Sequence, residues 1–118
     1  MSVAGEIASE IMNKVALPEL DPEGFLVDLN SWTPEIAKLL AAQDAITLTA
    51  EHLEIILLLR KFYQTFQLSP AMRPLTNYLR QHLAVEKTNS IYLMQLFGQS
   101  PAKALARYAG LPKPDNCL

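Results

Sequence analysis

Thr49-Ala-Glu-His-Leu-Glu-Ile-Ile-Leu-Leu-Leu-Arg-Lys-Phe-Tyr-Gln-Thr-Phe-Gln67 is the stretch that decides the fold class. Thr49 with Glu51 close behind reads as a helix start, because both place oxygens where first-turn N–H groups lack partners. Leu53, Ile55, Ile56, Leu57, Leu58, Leu59, Phe62, Tyr63 and Phe66 then cover nearly the whole circumference. Only a strip near Glu54, Arg60, Lys61 and Gln64 stays polar. A helix apolar on almost every side predicts a central one, packed by its neighbours.

Working outward, Ser31-Trp32-Thr33-Pro34 predicts a second helix, capped by Thr33, with Pro34 at its first position and an end near Gln43. Trp32, just before the cap, reads as a core-anchoring aromatic. Beyond the long helix, Leu68-Ser69-Pro70 makes a corner. A further helix then runs to about Leu83, beginning either at Pro70 behind a Ser69 cap or only at Pro74. Leu75, Tyr78, Leu79 and His82 share its face. A loop over 85–89 leads to a helix over 90–97, which offers Ile91, Leu93, Met94 and Phe97 to the core and is closed by Gly98. Ser100-Pro101 opens a final, alanine-rich helix over 101–109.

Toward the start, residues 4–15 place Ala4, Ile7, Ile11 and Val15 at helical spacing, a weak amphipathic helix or a fraying extension ended by Pro18. Asp21-Pro-Glu-Gly24 is a type I turn signal between short apolar segments, so a small hairpin is expected, with Pro18 spoiling its first arm. The expected architecture is mainly α: a compact orthogonal helical bundle with a small N-terminal β-hairpin and a flexible C-terminal arm. It forms one domain over 1–118, with an extension over 1–15 and the arm over 111–118.

Composition narrows the function. Of 118 residues, 50% are hydrophobic and 19% charged, the profile of one ordered globular domain. A net charge of −2 argues against a dedicated nucleic-acid binder. A single cysteine leaves no internal disulfide and no multi-cysteine zinc site, and fits a reducing cytoplasm. His52 and His82 match no metal-ligand spacing and read as surface or half-buried histidines, so neither metal nor cofactor is expected. Glu6 and Glu10 stand where a signal peptide carries basic residues, and the apolar run 55–59 is too short for a membrane span. A soluble, cytoplasmic protein is expected.

The last nine residues, Gly110-Leu111-Pro112-Lys113-Pro114-Asp115-Asn116-Cys117-Leu118, suit no regular element. Gly110 reads as a left-handed helix stop. Pro112 and Pro114 remove donors and favour extended backbone. Fully extended, the eight residues after Gly110 span about 26 Å at roughly 3.3 Å each. Two readings of Cys117 stand side by side: a small hydrophobe in a tolerant terminus, or a thiol carried on an arm into another protein's active site. Lys113 favours its thiolate, whereas Asp115 and the terminal carboxylate disfavour it. A free cysteine with a pKa of about 8.5 is mostly protonated at neutral pH, so activation falls to a partner's pocket. Arg73, Arg80, Lys103 and Arg107 are candidates for a basic rim at the arm's base, though singly each reads as a solvated face. A rival reading makes the long helix, its corner and the next helix a helix-turn-helix, for which Arg73, Asn77, Arg80 and Gln81 are thin material. A purely structural adaptor would make no use of Cys117.

The ending Ala109-Gly-Leu-Pro-Lys-Pro-Asp-Asn-Cys-Leu118 resembles that of the DsrC/TusE family of sulfur-relay proteins, whose penultimate cysteine carries sulfur as a persulfide. Thr49-Ala-Glu-His52, Arg60-Lys-Phe-Tyr63, Leu68-Ser-Pro-Ala-Met-Arg73 and Pro101-Ala-Lys103 match in the same order. Glu86-Lys-Thr-Asn-Ser90 resembles the family's Glu-Lys-Gly-Asn-Ser, with Thr88 in place of Gly. The likeness covers roughly residues 21–118 and supports the hairpin; residues 1–15 have no counterpart. Two-cysteine members carry a second cysteine where this chain has Ala106, so the resemblance is to the single-cysteine, TusE-type branch. It implies a sulfurtransferase that accepts sulfane sulfur on Cys117 and hands it on, with Gly110, Leu111, Pro112, Lys113 and Pro114 as the arm that docks. It also implies a TusBCD-like donor complex and an MnmA-like tRNA 2-thiouridylase as partners, with nucleic acid met only through the latter. A single-cysteine DsrC-like carrier in dissimilatory sulfur metabolism is the alternative.

Overall fold

In the computed structural model, which describes residues 17–115, five helices follow one another. They are α1 (Pro34–Gln43), α2 (Ala50–Phe66), α3 (Met72–Arg80), α4 (Ser90–Phe97) and α5 (Pro101–Tyr108). Short 3-10 turns at Leu29–Ser31 and Val85–Lys87 complete the regular structure. Cys117 and the helix or extension expected over residues 4–15 lie outside the described residues.

Local signals set most boundaries. Thr33 Oγ1 accepts from the Ile36 N–H at 3.2 Å, and Pro34 sits where its missing donor costs nothing. Asn89 caps α4 through the Tyr92 N–H at 2.8 Å. α3 starts at Met72, between the two expected positions, so Pro74 falls in the first turn, where no N–H is needed. It ends at Arg80 rather than Leu83.

The expected β-hairpin is not formed. Among the described residues there is no strand, only one antiparallel bridge between Leu20 and Leu26. The turn itself is present: the Gly24 N–H donates to the Asp21 carbonyl at 2.9 Å, and Asp21 Oδ1 accepts from Glu23 and Phe25 N–H at 2.8 and 3.0 Å. Pairing stops because Asp28 caps the 3-10 turn that follows, accepting from the Asn30 N–H, and bends the chain away.

The long helix is not the centre either. α2 buries one stripe, His52, Ile55, Ile56, Leu59 and Phe62, while Leu57 and Phe66 stay 51% and 52% exposed. The helix that packs against all four others is the short α5. Ala102, Leu105, Ala106 and Tyr108 are buried there, and the small alanines let the neighbouring helices approach. Thr88 stands at φ −124°, a conformation that does not require glycine, and its buried hydroxyl donates to the Val85 carbonyl at 2.9 Å.

Candidate functional site: the anchored root of the C-terminal segment

α5 ends in a Schellman turn. Gly110, at φ +72°, donates to the Arg107 carbonyl at 3.1 Å, and the Leu111 N–H reaches back to Ala106 at 2.9 Å. Both bonds satisfy carbonyls that a helix end leaves without partners. The turn is gripped from two sides. Trp32 Nε1 donates to the Tyr108 carbonyl at 2.7 Å, and Arg60 Nη1 donates to the Ala109 carbonyl at 2.5 Å. The Arg60 guanidinium also lies 4.2 Å from the Trp32 ring centroid, a cation–π contact. Burial holds the Arg60 guanidinium below the usual arginine value.

The described part of the expected arm is not free. Leu111 and Pro114 are buried, Ser69 Oγ donates to the Pro112 carbonyl at 2.5 Å, and Lys113 Nζ meets Glu23 at 2.9 Å. An extended strip without internal hydrogen bonds gains by borrowing donors and apolar cover from the body, and residues 111–114 do so. Ser69, read above as a helix cap, is instead the latch for this strip. Tyr63, Gln67, Leu68, Ser69, Pro112, Lys113 and Asp115 line a depression of about 210 Å³ where the strip reaches the surface.

The four candidate rim cations do not converge. Arg73 and Arg80 line one depression on α3, while Lys103 and Arg107 line another beside Asp44. Arg107 is also committed to structure: its Nε donates to the Gly24 carbonyl at 3.0 Å, Nη1 to Asp44 Oδ2 at 2.8 Å, and Nη2 to Gln43. This ties the Asp21–Gly24 turn to α5. His52 is buried rather than at the surface, with 6% exposure. Its Nδ1 accepts from the Thr49 N–H at 3.0 Å and its Nε2 donates to the Leu96 carbonyl at 2.8 Å, so the partners set the Nε2–H tautomer. His82 is exposed, its ring centroid 4.7 Å from that of Tyr78 in a tilted contact. Among the described residues no three His, Cys, Asp or Glu side chains converge as metal ligands do, and no helix is long and apolar enough to cross a membrane.

Tyr108 next to the root carries a pH signature. Its hydroxyl donates to Asp44 Oδ2 at 2.6 Å, and desolvation, followed by Asp44, pushes the phenol well above the usual tyrosine value. The unfolded chain releases this proton near pH 10 and the folded chain holds it. Above about pH 10 the native state therefore binds more protons, and stability falls as pH rises. Tyr108→Phe is expected to flatten this alkaline loss in denaturant titrations at about pH 8 and about pH 11. An equal loss in both proteins would show that Tyr108 does not drive it.

A helical body whose last helix delivers a latched Pro-Lys-Pro strip to the surface is the class of protein this geometry defines. The family model described as DsrC like protein matches residues 13–118, and the chain belongs to that family. It is 46% identical over 100 residues to sulfurtransferase TusE of Photorhabdus laumondii, covering 85% of this chain and 90% of that protein. Sulfurtransferase TusE of Buchnera aphidicola is 42% identical, with coverage of 85% and 88%. Among solved structures, the NMR structure of Allochromatium vinosum DsrC superposes with a TM-score of 0.76 at 47% identity, covering 84% of this chain and 88% of that one. Oxidized DsrC, the gamma-subunit of dissimilatory sulfite reductase from Archaeoglobus fulgidus, gives 0.72 at 37% identity, with coverage of 86% and 92%.

Trp32, Arg60, Glu23 and Ser69 are the site residues that sequence reasoning missed as such. Arg60 and Ser69 stood inside stretches that carried the family resemblance, which was the one signal available for them. Trp32 and Glu23 had none beyond a position beside a cap and a turn.

Proposed function

We propose that this chain is a sulfur carrier that accepts sulfane sulfur as a persulfide on Cys117 and passes it to a partner protein in 2-thiolation of the tRNA wobble uridine. The observation that carries the reading is that the family match runs through residue 118 in a chain whose single cysteine is Cys117. The relatives named sulfurtransferase TusE support the activity. The chemistry needs one thiol. Cys117 thiolate attacks the terminal sulfur of a donor persulfide, the donor's own S–S bond breaks, and the donor cysteine leaves as thiolate. A thiolate of the acceptor then attacks the terminal sulfur on Cys117, which leaves in turn. Sulfur moves at the same oxidation level in both steps, so no oxidant or reductant is consumed, as in thiol–disulfide exchange.

The surroundings fit a carrier that is activated elsewhere. Lys113, the nearest cation in sequence, is paired with Glu23, which neutralises its pull toward a Cys117 thiolate. Buried Ala106 stands where two-cysteine members hold their second cysteine, so an internal disulfide or trisulfide has no second sulfur. Overall identity to TusE and to DsrC is nearly equal, at 46% and 47%; the missing second thiol favours the TusE-type cycle over one in dissimilatory sulfur metabolism. The partners are then a TusBCD-like donor and an MnmA-like tRNA thiouridylase, with tRNA bound by the latter. The helix-turn-helix alternative loses ground, because residues 67–71 separate α2 from α3, more than the roughly 3–4 residues of that motif.

Incubation with a persulfide-loaded TusBCD-like complex is expected to add one sulfur atom to the intact mass, located on Cys117 and removable by dithiothreitol. No adduct, or an adduct elsewhere, would end the carrier reading.

A further inference from the structure

Charge is unevenly shared along this chain. Residues 1–54 hold ten acidic residues against two lysines, whereas residues 55–85 hold Arg60, Lys61, Arg73 and Arg80 and no acidic residue. Several of the acids serve the fold itself. Asp21 and Asp28 accept from backbone N–H groups in turns, Glu23 meets Lys113, and Asp44 meets Arg107. Lys61, exposed on α2, has no carboxylate partner among the described residues.

Lys61 stands on a groove of about 620 Å³ between α2 and the turn that follows α3. Leu58 and Leu83, half-buried against the core, and Leu57, 51% exposed, make its apolar part. Lys61, Arg60 and His82 make its polar part, and Glu54, the one acid in the lining, is engaged by Lys87 at 3.7 Å. The groove also adjoins the root. Arg60, which lines it, is the residue whose guanidinium holds the Ala109 carbonyl, one residue before Gly110. A partner seated here is therefore fixed beside the point from which the C-terminal segment departs, whatever path that segment takes.

Apolar wall and cationic rim together select the occupant. A phosphodiester backbone uses cations but has no apolar side chain to place against Leu57, Leu58 and Leu83. A protein segment with an apolar side chain between carboxylates uses both. An acceptor that holds tRNA needs a basic surface of its own, which this rim repels; a sulfur donor has no such need. We infer that this groove is the docking site for an acidic, apolar-bearing surface segment of the sulfur donor, with Lys61 as the charge contact and Leu57 as the apolar one. The inference rests on the carrier reading and adds the surface by which the carrier recognises its donor.

The test measures the Kd of the full chain for the persulfide-loaded TusBCD-like complex, beside sulfur loading read from intact mass. Lys61→Glu is expected to weaken binding about tenfold or more at low salt and to flatten its salt dependence, since a rim charge is screened by ions. Leu57→Ser should weaken binding severalfold at every salt concentration, through lost apolar contact. Both residues are exposed, so the denaturant midpoint should not move. Arg73→Glu makes the same change of net charge on α3, outside the groove, and should keep the wild-type Kd within about twofold. A wild-type Kd in Lys61→Glu and Leu57→Ser, or an equal loss in Arg73→Glu, would overturn the groove and leave the carrier reading intact. A wild-type chain that binds through the groove yet gains no sulfur would remove the carrier reading while the contact stands. Binding of tRNA alone, or self-association of the chain, that is lost in Lys61→Glu would assign the groove to RNA or to a second copy and overturn the donor.

Discussion

Cys117→Ser is expected to abolish sulfur transfer and leave the fold unchanged. A hydroxyl oxygen is a far weaker nucleophile than a thiolate at neutral pH and forms no counterpart of the persulfide, so neither half of the relay can run. Exchange of one sulfur for one oxygen at a residue next to the chain terminus should shift stability by no more than about 0.5 kcal/mol. Radiolabelled sulfur supplied through the loaded donor separates the outcomes. Wild type should retain label on non-reducing gels, and Cys117→Ser should retain none while unfolding at the same denaturant concentration. Equal labelling of the two proteins would place the sulfur somewhere other than Cys117.

The second large effect is structural. Gly110→Ala is expected to cost roughly 3 kcal/mol: about 1–2 for an alanine in the left-handed region, and more for overpacking. A Cβ built at this position would lie 2.5 Å from Trp32 Cδ1, 2.8 Å from Leu26 Cδ1 and 2.9 Å from Trp32 Cβ. None of these can yield easily. Trp32 is pinned by its bond to the Tyr108 carbonyl and by the Arg60 guanidinium over its ring, and Leu26 is 5% exposed within the core. Relief would come from lifting the turn off α5, which shifts the strip that follows. Gly110→Ala should therefore lose both stability, read as a lower denaturant midpoint, and transfer rate measured where it is still folded. An unchanged midpoint would mean that the turn relaxes without cost, and that the cradle around Gly110 is not what fixes the root.

How much of this was legible depends on the range of the interactions involved. The caps at Thr33 and Asn89 act within one turn of the chain, and so do the Asp21–Gly24 turn and the stop at Gly110. The Thr33 cap, that turn and the glycine stop were readable from the letters, and so was the start of α4 at Ser90. The long helix was readable as a helix but not as a neighbour. Its apolar residues surround it in sequence, yet full burial follows only the stripe through Ile55, Ile56, Leu59 and Phe62, while Leu53, Leu58 and Tyr63 pack only partly against the core and Leu57 and Phe66 stay exposed. The hairpin failed because a local turn does not ensure that its flanks stay paired.

The sequence by itself determined that five helices form near their observed places, that the chain stops turning at Gly110, and that one thiol lies near its end. Tertiary structure alone decided which helix is central and where the strip lies. Trp32 binds the Tyr108 carbonyl across 76 positions, Arg60 binds Ala109 across 49, and Ser69 binds Pro112 across 43. No local pattern encodes such pairs. They exist only after the alanine face of α5 has drawn four helices around it, which brings distant donors to the carbonyls at its end.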